Sequence, residues 1–552
     1  MSSELFERHR GLLELALAAT ATRGEFSPYP ERIADFNEVV QAEGREAFEN
    51  YCGSYFYLDQ PGVGERVGAE ASPYRIALGI QYPKTNLNTI MPAAVRAKES
   101  WSKVDVDTRT GMCMEILHQL HLRSFEIGYA TMHTTGQPFA MAFQAGGPHA
   151  QGRGLEAVAM AYQKMKSIPT EALWEKNEGP NVVRLKKTFR VVGRGVGVVV
   201  GCSTLPNWNA YPGIFADLMT GNAVIVKPHP NAILPLAITV GVARHFLKEA
   251  GFDPNIIMLV VDDNERPVSK ALALRPEVKI IDYTGGAEFV DWLRENARDK
   301  LVYVEGSAVN PVVIDSTANF AGMLRNLMLS VSMFAGRMCT SPRVVFTPRE
   351  GIVTPAGRMT TAEFDEHLAQ GFERLLSDAP RYCEFLGMMR AHEYDARIEG
   401  AAALGDVVVG SKTLEHPNFP GAQVRTPLVV RVGADQTDVY MHEWFGPILF
   451  LVECDTTAES LTRAAMVARE KGAIAALLHA TDDGTRRAAE DAFGPSGTTL
   501  CVNLAGPVYM NQSVPFSDFH VSGLNPAGTG TLVDSAFVAQ RFRVLETKSM
   551  AD

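Results

Sequence analysis

Between residues 196 and 305 short β-branched runs alternate with helix-like stretches, and no other feature restricts the fold so sharply. The runs are VGVVV (196–200), AVIV (223–226), IIMLVV (256–261), VKII (278–281) and LVYV (301–304). The helix-like stretches between them, clearest over 236–250 with Gly251 as terminator, predict crossovers. Strand and helix in alternation make a parallel sheet, and such sheets bind ligands at the carboxyl ends of their strands. After Glu305 the pattern restarts with NPVVID (310–315), a helical run to about 335 and RVVF (343–346). Further alternation to about 503 predicts a second α/β domain.

Upstream of residue 180 the chain reads as mainly helical, as over 93–101, 110–133 and 155–166. The first 26 residues carry Glu4, Glu7 and Glu14, which suits an amphipathic helix rather than a signal peptide. At 552 residues two or three domains are expected, and 46% hydrophobic with 21% charged residues fits a soluble globular protein. A net charge of −11 argues against nucleic acid or an anionic membrane as partner. No apolar stretch is long enough to span a bilayer. The seven cysteines are scattered without a CxxC pair, so neither a disulfide framework nor a metal site is expected, and a reducing cytoplasm is the simplest setting.

Several chemistry-bearing residues fall where a parallel sheet would present them. Glu305 closes a strand before Gly306 and is placed to act as a base. Asn207 and Asn209 follow the first strand, where a side-chain amide can stabilise an oxyanion. Lys227 ends another strand and can bond a ribose hydroxyl or a phosphate. Thr284, Gly285 and Gly286 precede a helix, as a phosphate contact requires. Glu443 and Phe445 offer an acid and a ring to a ribose and a base. Cys339, in FAGRMCTSPR, stands beside Gly336, with Arg337 and Arg343 near enough in sequence to favour a thiolate. Taken alone, that cysteine is roughly three to one a buried core thiol. Residues 193–201 (GRGVGVVVG) imitate a dinucleotide fingerprint, but their glycines lead into a strand rather than opening a helix.

The order and spacing of these weak signals carry more than any one of them. Trp208-Asn209, Lys227-Pro228, Thr284-Gly285, Glu305 to Pro311, Gly336 to Cys339 and Glu443-Trp-Phe-Gly-Pro447 resemble the successive motifs of the aldehyde dehydrogenase superfamily. The spacing from Glu305 to Cys339 is 34 residues, and VPFSDFHVSG (514–523) resembles the family's late Pro-Phe segment. The helical N-terminal region, PNWNAYPG and GRMCTSP are most similar to the free-standing phenylacetate-degradation members, whose substrate is a ring-opened semialdehyde carried as a coenzyme A thioester.

The resemblance implies two Rossmann-like α/β domains with parallel-sheet cores, a small β oligomerisation arm and a helical N-terminal region. It places the helical part at 1–176, the arm at 177–195, the cofactor domain at 196–307, the catalytic domain at 308–515 and a C-terminal segment with the arm's partner strand at 516–552. It implies Cys339 as nucleophile, Glu305 as base and Asn209, or Asn207, as oxyanion donor. Trp208, Lys227, Pro230, Thr284, Gly285, Gly286, Glu443 and Phe445 would surround the cofactor, with no metal. The implied partners are a small aldehyde, as such or as a coenzyme A thioester, and a second copy in a dimer or dimer of dimers. Three positions depart from the family pattern. Gly286 stands where a serine is usual, and Arg337 where a glutamine is frequent. Pro230 replaces the glutamate common three residues beyond the lysine, which favours NADP while leaving NAD possible, since no carboxylate would then repel a 2′-phosphate.

Overall fold

A computed structural model describes residues 2–68, 70–390, 392–520, 525–528 and 535–551. The alternation resolves into two parallel sheets. In the first, strands run Ile257–Leu259, Ala223–Lys227, Val196–Val200, Val278–Thr284 and Leu301–Glu305 across the sheet, all parallel. Every residue of the two strands Val196–Val200 and Ala223–Lys227 is buried, as a sheet covered by helices on both faces demands. The chain enters at Val196–Val200, builds outward to one edge, then returns to the other side at Val278–Thr284. The crevice opens at that reversal, outside the carboxyl ends of the strands.

The second sheet has seven strands in the order Asp406–Val409, Leu428–Val432, Ile448–Cys454, Pro342–Pro348, Asn310–Ile314, Ala475–His479 and Thr499–Val502. Only its first edge strand is antiparallel. The helical region packs against the first sheet and shares its core. The expected helix over 110–133 is two helices, Val106–His121 and Ser124–Thr135, broken at Leu122 and Arg123. No glycine or proline marks that break; Arg123 leaves helical geometry at φ −107°, ψ 18°.

A separate three-stranded antiparallel sheet joins Glu171–Glu178 and Asn181–Gly193 to the late strand Phe542–Met550. It starts at Glu171, six residues before the expected 177, because EALWEKNE is too charged to read as a strand. Where this strand leaves the body of the protein, Arg541 is fully buried. Its guanidinium donates to Asp217 at 2.9 Å and to Asp282 at 2.8 Å. Tyr303 and Phe537 lie 4.4 and 4.3 Å from it on their ring faces.

Candidate active site

The crevice holds a cavity of about 870 Å³. Asn209, Lys227, Pro230, Thr284, Gly285, Gly286, Glu305, Cys339, Glu443 and Phe445 all line it, although they come from both α/β units. Two of the expected residues do not. Asn207 is fully buried elsewhere, its amide donating to Tyr211 at 3.0 Å, so Asn209 is the asparagine of the site. Trp208 packs behind the site, edge-on to His520 at 4.8 Å and beneath the Arg153 guanidinium at 4.4 Å.

Cys339 is delivered by a contorted turn. Phe334, Ala335 and Gly336 take φ values of 51°, 52° and 65° in succession. Such left-handed geometry costs roughly 1–2 kcal/mol for each non-glycine residue. A side chain on Gly336 would meet the Gly446 carbonyl at 2.3 Å, so only glycine fits there. Arg337 holds the turn: it donates to Phe334 O at 3.2 Å, Thr135 O at 3.0 Å and Met388 O at 2.6 Å. Arg343 is committed to Gly446 O at 2.8 Å and lies 3.8 Å from Glu443.

The arginines therefore do not make Cys339 a thiolate, contrary to the sequence expectation. Burial and the Glu305 carboxylate instead push its thiol well above the ordinary range. Glu305, although burial opposes it, is held ionised below the usual glutamate value by His520, a hydrogen bond from Cys339 and Arg153. Cys339 Sγ, a Glu305 oxygen and a His520 ring nitrogen lie within 4.8 Å of one another. A thiol beside an ionised carboxylate is a nucleophile with its base already in place. The Asn209 amide donates to Glu305 Oε2 at 3.0 Å, while Cys202 Sγ lies 3.7 Å from its carbonyl oxygen. The donor expected to serve an oxyanion is thus engaged by Glu305 in this arrangement.

At the cofactor end, the helix Ala287–Asn296 begins beside the cavity with Gly286 at its N-cap. A side chain on Gly286 would meet nothing within 4 Å, so the space over the helix's first amides is open to a phosphate. Ser307, from the loop after Glu305, accepts from Ala287 N at 3.2 Å and supplies a hydroxyl that position 286 lacks. Lys227 and Asp262, both buried, form an ion pair at 2.6 Å, and both line the cavity. A carboxylate is therefore present beside the lysine, contributed by the next strand's loop instead of by position 230. Ser307 and Asp262 were missed in the sequence because neither has a local motif, and His520 because VPFSDFHVSG was recognised without a role for its histidine.

The profile of the aldehyde dehydrogenase family matches residues 76–535. The chain belongs to the aldehyde dehydrogenase family. A crystal structure of an NAD-dependent aldehyde dehydrogenase from Burkholderia multivorans is 46% identical, with a TM-score of 0.97 over 99% of both chains. A 1-pyrroline-5-carboxylate dehydrogenase from Thermus with bound NAD shares the fold at 18% identity and a TM-score of 0.74, over 96% of this chain and 99% of that one. Among curated sequences, the 2-aminomuconic semialdehyde dehydrogenase of Bos taurus is 26% identical over 49% of this chain and 55% of its own length. The matched stretch thus spans about half of that relative. This aldehyde dehydrogenase family member has no helix among the described residues long and apolar enough to cross a membrane.

Proposed function

We propose that the protein oxidises an aldehyde to a carboxylic acid with a nicotinamide dinucleotide, through a thioester on Cys339. The observation that carries this reading is the juxtaposition of Cys339, Glu305 and Asn209 on the wall of a cavity that also holds Lys227, Asp262 and the helix N-terminus at Gly286. Glu305 takes the Cys339 proton, and the thiolate adds to the aldehyde carbon to form a thiohemiacetal. The Cys339 backbone N–H and Asn209, released from Glu305 once that carboxylate is protonated, receive the oxyanion. A bound nicotinamide supplies the hydride acceptor that converts this adduct to the thioester. Glu305, deprotonated again, activates the water that releases the acid.

Lys227 and Asp262 would hold the adenosine ribose, the helix N-terminus at Gly286 with Ser307 the pyrophosphate, and Phe445 a ring. Asp262 supports NAD over NADP, because a 2′-phosphate would meet its charge. For the substrate, the similarity of PNWNAYPG and GRMCTSP to the phenylacetate-degradation branch supports a ring-opened semialdehyde carried as a coenzyme A thioester, 3-oxo-5,6-dehydrosuberyl-CoA semialdehyde. The three-stranded sheet supports self-association. Among the described residues its outer strand Glu171–Glu178 has an unpaired edge, and Leu173, Val182 and Leu545, one from each strand, are exposed on the sheet.

The test is a panel of free and coenzyme A-linked aldehydes, assayed with NAD and NADP in parallel, with and without free coenzyme A. Acid formation without free coenzyme A is expected. Turnover that requires coenzyme A would identify an acylating enzyme instead, and absence of reduced cofactor with every aldehyde would refute the reading.

A further inference from the structure

One carboxylate cannot hold two protons, and that arithmetic bears on His520. This inference rests on the proposed oxidation. Turning an aldehyde, an oxidised nicotinamide and water into a carboxylate and a reduced nicotinamide at neutral pH releases two protons per cycle. In this site Glu305 receives one from the Cys339 thiol and then one from the water, and the proton of the newly formed acid restores the thiol. The carboxylate must lose the first before it can accept the second.

The cavity side of Glu305 is occupied by Cys339 and Asn209, and in turnover by substrate. Behind it stands His520, 6% exposed and absent from the cavity wall. Its Nε2 faces Glu305 Oε1 at 3.3 Å, and neither atom has a well-aligned hydrogen bond to any other described residue. The other ring nitrogen, Nδ1, lies 3.1 Å from Ser513 Oγ. Ser513 is half-buried, between the exposed Gln512 and Val514. Trp208 braces the imidazole edge-on, and the Arg153 guanidinium lies on the same indole. Ring orientation is therefore set by packing, with one nitrogen on the base and one toward the surface.

We propose that His520 is the proton exit of Glu305: the carboxylic O–H breaks as a bond to Nε2 forms, and the imidazolium releases its Nδ1 proton past Ser513 to solvent. No oxidant or co-reactant is needed, because only a proton moves. A histidine suits this work because its ring can take a proton at one nitrogen and give one up at the other. The charged groups around the ring are Glu305 on its strand, Cys339 on the nucleophile loop, and Arg153 across Trp208 with Glu156 beside it. His520 touches the base and not the substrate, so it is a positioning and relay residue.

p-Nitrophenyl acetate isolates the relay from cofactor and aldehyde, since it acylates a thiolate directly and releases nitrophenolate. The wild-type protein should give a burst of one nitrophenolate per site, followed by steady release limited by hydrolysis of the acetyl thioester. In H520Q the burst amplitude should persist while the steady rate falls by about tenfold or more, a smaller loss than the roughly 10²–10⁴-fold that a general base itself contributes. Imidazole added as a diffusible base should restore much of that rate, and the rate should become dependent on buffer concentration. S513A, a milder change, should lose less of the steady rate and show the same buffer dependence. A steady rate unchanged in both variants would overturn the proposal. So would an H520Q protein that loses burst and turnover together without rescue by imidazole, because that is the signature of a structural role. Absence of any burst from the wild-type protein would instead refute the assignment of Cys339.

Discussion

Replacing Glu305 with glutamine should separate the two halves of the reaction. The geometry survives the change, because a glutamine oxygen still accepts from Asn209, now 3.0 Å from the carboxylate. What is lost is a negative charge and a base. General bases contribute typically 10²–10⁴ in rate, about 2.7–5.4 kcal/mol of barrier at 1.36 kcal/mol per decade. Hydrolysis of the thioester should slow by that factor. The cysteine responds in the opposite sense. Glu305 is, after burial, the largest cause of the raised Cys339 pKa, so its neutralisation lowers that pKa and increases the thiolate fraction at any pH below it. Stopped-flow mixing with aldehyde and NAD should show a burst of reduced cofactor with little turnover behind it. Iodoacetamide should alkylate E305Q faster than wild type at pH 8, with the titration of Cys339 moved to lower pH. A variant that loses the burst along with turnover, or whose alkylation profile is unmoved, would refute the placement of Glu305 beside the thiol.

Other perturbations probe separate parts of the molecule. D262N should raise the ratio of kcat/KM for NADP over NAD by about tenfold, some 1.4 kcal/mol, because it removes a charge and frees Lys227 to meet a 2′-phosphate; paired initial-rate assays measure it. R541M leaves Asp217 and Asp282 buried without their cation and should cost about 3–5 kcal/mol, read by pulse proteolysis in urea. The triple variant with D217N and D282N should recover most of that loss. Burial depresses the pKa of His133 and His479 from 6.5 to about 4. Their unfolded forms thus bind more protons than the native ones between those values, so stability is complete above pH 6.5 and declines by about 1.4 kcal/mol per pH unit for each as pH falls toward 4. Urea midpoints from pH 7 to 4.5 should fall accordingly, and H479Q should flatten the slope.

The parallel sheets and the strand-end residues Lys227, Thr284 and Glu305 were legible because their signals are local: an apolar run that closes on a polar residue. Cys339 was legible only through its distance from Glu305, since its immediate surroundings describe an ordinary buried thiol. The rest depends on contacts across long separations. Asp262 reaches Lys227 from a neighbouring loop, Ser307 reaches the helix at Ala287 from the next strand end, and His520 reaches Glu305 from 215 residues away. Arg337 shows the opposite failure. Its nearness to Cys339 in sequence suggested a shared purpose, yet its side chain runs to three carbonyls and a phenyl ring. Residues 521–523 of the late Pro-Phe segment lie outside the described residues.

Those three carbonyls have a consequence for how the protein tolerates change over generations. Arg337 secures the nucleophile's turn through main-chain oxygens, which every amino acid carries. Thr135 and Met388 can drift in identity without withdrawing the acceptor, so selection acts on the arginine and on the path of the backbone rather than on its partners' side chains. The turn is thereby insulated from the mutations that accumulate around it. Among diverging copies of this gene, the fastening should persist at position 337 while leaving no covariation at 135 or 388 to betray it.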